Sequence, residues 1–204
     1  PLETAAPTSP KPTSAPTILP TKPPTRAPSG TPTVDCNMSQ SERMEQIQSL
    51  LGVISDPLLL ANGQTNQGMA IDWIIFSDEK HVCPGSSTLV QRYVLVLFYY
   101  STLGDDWNIC SANSPLCPAN NWMSSSHECS WFGISCDEND NVTDITFESN
   151  KLAGSLPDEI SALSSLKVLS LEKGFLGGTL PSTLGQLPEL MVLDLDFNYI
   201  GRIN

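Results

Sequence analysis

The sequence predicts an α/β repeat solenoid standing behind a helical, disulfide-braced segment and a disordered proline- and threonine-rich spacer. Three observations lead there. From Val142 onward the chain repeats itself every 24 residues. Its six cysteines all fall between Cys36 and Cys136, ahead of the repeats. The first 34 residues hold ten of the seventeen prolines, with Leu2, Ile18, Leu19 and Val34 as their only large apolar side chains. The resulting division is 1–34 for the spacer, 35–141 for the helical region and 142–204 for the repeats, two complete and a partial third.

The spacer buries too little to offset the entropy of ordering it. Proline fixes φ and removes a backbone donor, so an extended, semi-rigid stalk of polyproline character is expected. Its recurring Pro-Thr pairs are equally the composition of an O-glycosylated stalk and of a plain linker. Charge divides unevenly. The spacer carries Lys11, Lys22 and Arg26 against Glu3, whereas residues 35–204 hold seven basic and twenty-one acidic side chains, net −14. An acidic body argues against nucleic acid and anionic membrane as partners, since both need clustered Lys and Arg. The longest apolar run, VLVLFYY at 94–100, is far short of the roughly 20 residues of a membrane span. No signal peptide or initiating Met is visible, so any targeting element or anchor is expected outside this stretch.

The cysteines, Cys36, Cys83, Cys110, Cys117, Cys129 and Cys136, are even in number, and none forms Cys-x-x-Cys. CSANSPLC and CSWFGISC repeat one spacing. With the stalk composition, this points to an oxidised protein of the secretory pathway, secreted or displayed at the cell surface. Two glycosylation sequons, at Asn37 and Asn141, agree with that compartment.

Between residues 39 and 54, SQSERMEQIQSLLGVI places Met44, Ile47, Leu50, Leu51 and Ile54 on one helical face. Ser39 or Ser41 supplies the cap and Asp56-Pro57 the stop. MAIDWIIF, 69–76, closes a short helix that starts near Asn66. SSTLVQRYVLVLFYYSTLG, 86–104, is rich in β-formers, but its length, its Ser86 or Ser87 cap and its Gly104 stop favour a helix. Residues 105–128 lack periodicity and read as an irregular connection.

In rows of 24 the apolar residues fall in register at Val142, Leu166 and Leu190; Ile145, Leu169 and Leu193; Phe147, Leu171 and Leu195; and Leu152, Leu176 and Ile200. Gly154 aligns with Gly178, and Leu156-Pro157 with Leu180-Pro181. Self-similarity at this period is the mark of a solenoid, and L-x-x-L-x-L-x-x-N is the leucine-rich repeat pattern. In each row L-x-L makes a short strand with leucines inward. Asn150 and Asn198 can bond backbone groups in the following turn, forming a ladder between coils. The middle row has Gly174 there, so that rung loses its side chain. Ile160, Leu163, Leu184 and Leu187 pack the far side.

The L-x-G-x-L-P signature at 152–157 and 176–181, together with Cys129, Trp131, Gly133, Ile134 and Cys136 directly before the first strand, resembles the plant-type leucine-rich repeat family, whose members include receptor-like kinase ectodomains and polygalacturonase-inhibiting proteins. The resemblance spans residues 86–204. It implies a right-handed horseshoe, an N-terminal cap in which Cys129 pairs with Cys136, and a Trp covering the first coil. Sequence proximity then pairs Cys110 with Cys117 and leaves Cys36 to Cys83. Residues 35–85 match no element of that family and read as an extra helical collar. A terminal coil has one apolar face without a neighbour, so a cap is a requirement of the architecture.

Outward strand positions line the concave sheet, the usual binding surface of such a fold. Here Thr143, Asp144, Thr146, Glu148, Ser170, Glu172, Asp194 and Asp196 fall on it. The expected ligand is a protein, peptide or glycan, with no cofactor, no metal and no catalytic activity. DENDNVTDITFE, 137–148, imitates an EF-hand loop but has Val142 where the turn needs Gly, so a turn entering a strand is the better reading. His81 and His127 sit in no catalytic motif, and Asp105-Asp106 read as turn residues before Trp107. The functional expectation is an extracellular recognition module of a receptor-like protein; the alternative is a structural wall or adhesion protein with the repeats as scaffold. Because the third row stops before its Leu-Pro return, and Gly201 arrives one position early, the chain is expected to be a piece of a longer array with a frayed end.

Overall fold

The computed structural model describes residues 36–117 and 120–203. The expected stalk, 1–34, lies outside the described residues. What is described is a leucine-rich-repeat-like fold of helices, short strands and disulfides.

Helix α1 (Gln40–Leu51) begins with a capping box. Ser39 Oγ accepts the Glu42 N–H, and the Glu42 carboxylate accepts the Ser39 N–H at 2.8 Å, so two otherwise orphaned donors are satisfied. The Ser39 hydroxyl, which donates to the Glu42 carboxylate at 2.7 Å, and then the Ser39 N–H hold that carboxyl below its ordinary range. Ile47 and Leu51 face the core, while Leu50 points outward, 44% exposed. The helix ends short of Asp56-Pro57: the Gly52 N–H bonds back to Gln48, and Asp56 instead caps α2 (Pro57–Leu60).

Thr65 caps α3 (Asn66–Asp72), which continues into a π turn, Trp73–Ser77. Helix α4 (Leu89–Ser101) runs through the molecule with nearly every side chain buried. An all-round buried helix has no polar stripe, which is why its composition could pass for a strand. Neither Ser86 nor Ser87 caps it; the N-cap is Thr88, without a side-chain bond, and Ser86 Oγ accepts the Thr88 N–H instead.

The main sheet has the order β1 (Ile134–Cys136), β2 (Val142–Glu148), β4 (Val168–Glu172), β7 (Val192–Asp194). β1 is antiparallel to β2, and the other neighbours are parallel. Asp144, Val168 and Val192 stand abreast, as do Thr146, Ser170 and Asp194, so the strand register follows the 24-residue rows. Ile145, Phe147, Leu169 and Leu171 are buried behind it. Two minor ladders run alongside: β3 (Ala153–Gly154) with β5 (Phe175–Leu176), and β6 (Thr179–Leu180) with β8 (Arg202–Ile203). Thr179 meets Arg202, one residue short of a full row, where Gly201 had signalled a shortened turn. Short 3-10 turns, Asp158–Ala162 and Ser182–Gln186, return the chain and bury Ile160 and Leu184.

Asn150 does not reach another coil. Its side chain accepts the Ile109 N–H at 2.9 Å and donates to Ile109 O at 3.1 Å, tying the first coil to the connection before it. Gly154 sits at φ +87°, and a Cβ there would lie 2.3 Å from Ser101 O, so only glycine lets this coil close against the end of α4.

The sulfurs are bonded as Cys36–Cys83, Cys110–Cys117 and Cys129–Cys136. Trp107, Trp122, Trp131, Phe98 and Phe147 pack together between α4 and the first coil, with ring centroids about 5 to 6 Å apart. Two residues after Trp131, Gly133 at φ +78° lets the chain pass close to β2, where a Cβ would lie 2.6 Å from Thr146 O.

Two buried polar networks bind the collar to the rest. Arg92 on α4 joins Asp78 at the collar's end to Glu128 beside the Cys129 staple, and its guanidinium lies 4.8 Å from the Trp131 ring centre. Ser55 Oγ donates to Glu159 in the first coil at 2.8 Å and meets the Tyr93 hydroxyl, also at 2.8 Å. Arg43, buried on α1, donates to the carbonyls of Ile74, Ile75 and Val82, which closes the collar on itself. Burial pulls its pKa down.

Candidate functional site

Parallel strands place equivalent positions about 4.8 Å apart, so side chains on one face form columns. The outward face of β2, β4 and β7 carries three. Asp144 heads the first, followed by Val168 and Val192; Thr146, Ser170 and Asp194 make the second; Glu148 pairs with Glu172 in the third, and Asp196 follows in the same row position. Thr146, Glu148 and Asp196 are exposed, and Asp144, Ser170, Glu172 and Asp194 are half-buried. Thr143 is a correction: it shares the inward face of β2 with Ile145 and Phe147, is 6% exposed, and its hydroxyl donates to Asp144 at 2.6 Å.

The acidic columns are not uniform. Lys173 pairs with Glu148 across two coils, and that carboxylate raises the Lys173 pKa. Sequence reasoning passed over Lys173, although its position carries a signal. Ser149, Lys173 and Phe197 follow their strands at the same place in successive rows, and all sit at φ between +53° and +56°. This left-handed turn ends each strand and turns the next side chains to the rim. Phe175 and Tyr199, two positions on, stack there with centroids 6.1 Å apart and planes inclined by 17°. They are 52% and 71% exposed. A carboxylate ledge with an aromatic rim offers charge attraction and π faces to a cationic or sugar-like group.

At residues 137–141 the acidic stretch is a turn. Asp137 Oδ1 accepts the N–H groups of Asn139 at 2.9 Å and Asn141 at 2.8 Å, and the Asn141 amide donates to the same carboxylate. These bonds hold the Asp137 carboxyl below its ordinary range and leave it committed to the turn entering β2. The Asn141 amide is therefore engaged, whereas Asn37 is exposed at φ +53°. His127, Cys129 and Asp140 bring potential ligand atoms within 4.8 Å of one another, but Cys129 is in its disulfide, which removes the thiolate a metal would need. Asp105 accepts the Tyr99 hydroxyl at 2.6 Å, and Trp107 donates its indole N–H to Thr102 O, so the Asp105-Asp106 pair belongs to a structural turn. Among the described residues no helix is long and apolar enough to cross a membrane.

No protein-family model matches the chain, and no curated protein is significantly similar to it. Solved structures are. A chain of the complex of BIR3 with SERK2 from Arabidopsis thaliana is 27% identical, with 52% of this chain and 57% of that chain covered and a TM-score of 0.38. The BIR2 ectodomain from the same plant is 33% identical over 35% of this chain and 39% of its own, at a TM-score of 0.34. The leucine-rich repeat ectodomain of the receptor kinase SOBIR1 from Arabidopsis thaliana is 27% identical over 37% and 46%, also at 0.34. The chain thus resembles plant leucine-rich repeat ectodomains over about half its length, and it spans 57% or less of these three.

Proposed function

We propose that residues 142–204 are the opening coils of a right-handed, horseshoe-shaped solenoid, capped by residues 35–141, and that the module recognises a partner outside the cell. The observation that carries this reading is the ordered acidic ledge. Thr146, Ser170 and Asp194 stand in one column and Glu148 and Glu172 in the next, on a sheet face that presents no catalytic constellation. Fields of neighbouring carboxylates add, which favours a partner with cationic groups, a basic peptide or protein surface before a neutral glycan. The module is read as non-catalytic and secreted or surface-displayed, with three disulfides suited to an oxidising compartment and with Asn37 the better exposed of two candidate glycan acceptors.

The test is a screen of the purified chain against arrays of extracellular peptides and glycans, followed by titration of the best binder in rising salt. The variant Glu148→Lys/Asp194→Lys is expected to lose about tenfold or more in affinity at low salt, with the gap narrowing as salt screens the exposed charges. A specific binder indifferent to both substitutions moves recognition away from this face.

A further inference from the structure

A second surface lies away from the repeats, on the seam between the collar and α4. Two recesses of about 290 and 280 Å³ adjoin there and share Met69 and Tyr100 as walls. The first is completed by Asp72, Trp73 and Phe76, the second by Leu103, Asp105 and Asp106. Its apolar side chains are presented to solvent: Phe76 is 62% exposed and Leu103 50%. Local backbone holds them there. The π turn, closed by the Asp78 N–H to Trp73 O at 2.8 Å, keeps Ile74 and Ile75 in the core while Phe76 stays outside. Leu103 occupies the left-handed region, φ +54° and ψ +54°, unusual for a bulky side chain and fixed by the Asp106 N–H to Leu103 O bond at 2.9 Å.

The groove's charge has one sign. Asp72, Asp105 and Asp106 line it. Neither residues 52–79 nor residues 93–150, which supply all of its walls, contain a single Lys or Arg. Lys80 and Arg92 stand between these stretches; Lys80 is half-buried and lines neither recess, and Arg92 is fully buried, engaged with Asp78 and Glu128, with its guanidinium 5.5 Å from the Trp73 ring centre. An apolar groove with aromatic faces, carboxylates at its rim and no Lys or Arg among its lining residues is complementary to a guanidinium on an aliphatic stem. The stem lies on Met69 and Leu103, the planar cation on Phe76 or Tyr100, and the carboxylates accept its N–H groups.

We propose that the collar–α4 groove is a docking site for an arginine-bearing segment of a partner protein, separate from the repeat face. This site does not depend on the ledge reading, because it shares no residue with it.

The probe is fluorescein-labelled hexa-arginine, titrated by anisotropy against the whole chain, with hexa-lysine and hexa-citrulline alongside. Hexa-arginine is expected to bind saturably and more tightly than hexa-lysine, and hexa-citrulline not to bind. Phe76→Ala, which changes no charge, should weaken hexa-arginine at least about threefold. Asp72→Asn/Asp106→Asn should weaken it about tenfold. Glu138→Gln/Glu189→Gln, which removes two exposed charges outside both surfaces, should leave it within twofold. Phe76 and both aspartates are exposed, so circular dichroism and thermal melts are expected to match the parent chain. Binding insensitive to Phe76→Ala, or weakened as much by the variant outside both surfaces, would reduce the effect to general attraction by an acidic body and overturn the proposal. So would hexa-lysine matching hexa-arginine.

Discussion

Arg92→Met isolates the contact that joins collar, central helix and staple. All five of its N–H donors are used: two to Asp78 at 2.7 Å each, one to Glu128 at 3.0 Å, and two to the carbonyls of Ser124 and Ser126 at 2.8 and 3.0 Å. The three charged side chains are fully buried. Methionine keeps the apolar stem but leaves two carboxylates dry and without their cation, a loss of about 3–5 kcal/mol. In a folded body of this size that corresponds to a fall in melting temperature of roughly 6–20 °C. Removing all three charges together, Arg92→Met/Asp78→Leu/Glu128→Met, should cost less than the single change, because no unpaired charge is left behind. Thermal and urea unfolding of the three proteins, with disulfides intact, makes the comparison. A single variant within about 2 °C of the parent chain, or a triple variant less stable than the single, would refute the claim that this buried triad fastens the collar.

Three further outcomes follow from the same structure. Chain entropy makes the Cys36–Cys83 bridge, closing 47 residues, worth about 4 kcal/mol and the Cys129–Cys136 bridge, closing 7, about 2.5 kcal/mol; paired Cys→Ser variants in urea should fall in that order, and the reverse order would give the short bridge a packing role beyond its loop. Burial raises the pKa of Tyr93, Tyr99 and Tyr100, so the folded chain holds those protons longer than the unfolded one. Their contribution is complete below the ordinary tyrosine value of about 10 and is lost as pH climbs through the raised values; an absorbance titration should find these phenols ionising only with unfolding, and early reversible ionisation with the fold intact would contradict their burial. Hydrogen exchange should find β7 and residues 195–200 the least protected of the repeats, since among the described residues β7 has a sheet neighbour on one side only and Leu193 is 44% exposed; protection equal to that of β4 would mean the edge is covered in solution.

Periodicity was the most legible feature because it is a local, repeated constraint: a strand in each row turns the same positions inward, so Ile145, Leu169 and Leu193 announce one another without knowledge of the fold. Helix α4 was legible from its length and its Gly104 stop, although the serine cap expected for it is not made. What could not be read was set by residues distant in sequence. Arg92 looks like a surface charge on its helix until Asp78 and Glu128 arrive from either side, and Arg43 looks the same until three carbonyls of the collar close over it. Thr143 is the opposite case: it stands two residues before Ile145 and four before Phe147, so alternation along β2 already places it on their buried face.

Gly174 makes the limit clearest. Row by row it is a defect, an asparagine rung without a side chain. In the folded chain a Cβ at that position would lie 2.7 Å from Asn198 Oδ1. The missing side chain therefore leaves the space in which Asn198, one row later, accepts the Leu176 N–H at 3.0 Å and donates to Leu171 O. Two buried backbone groups of the middle coil are thus satisfied by a neighbour, not by the coil's own residue. A row alignment compares each position with its equivalents and scores the glycine as lost. The physical unit is the step between coils, in which one row supplies the space and the next supplies the hydrogen bonds.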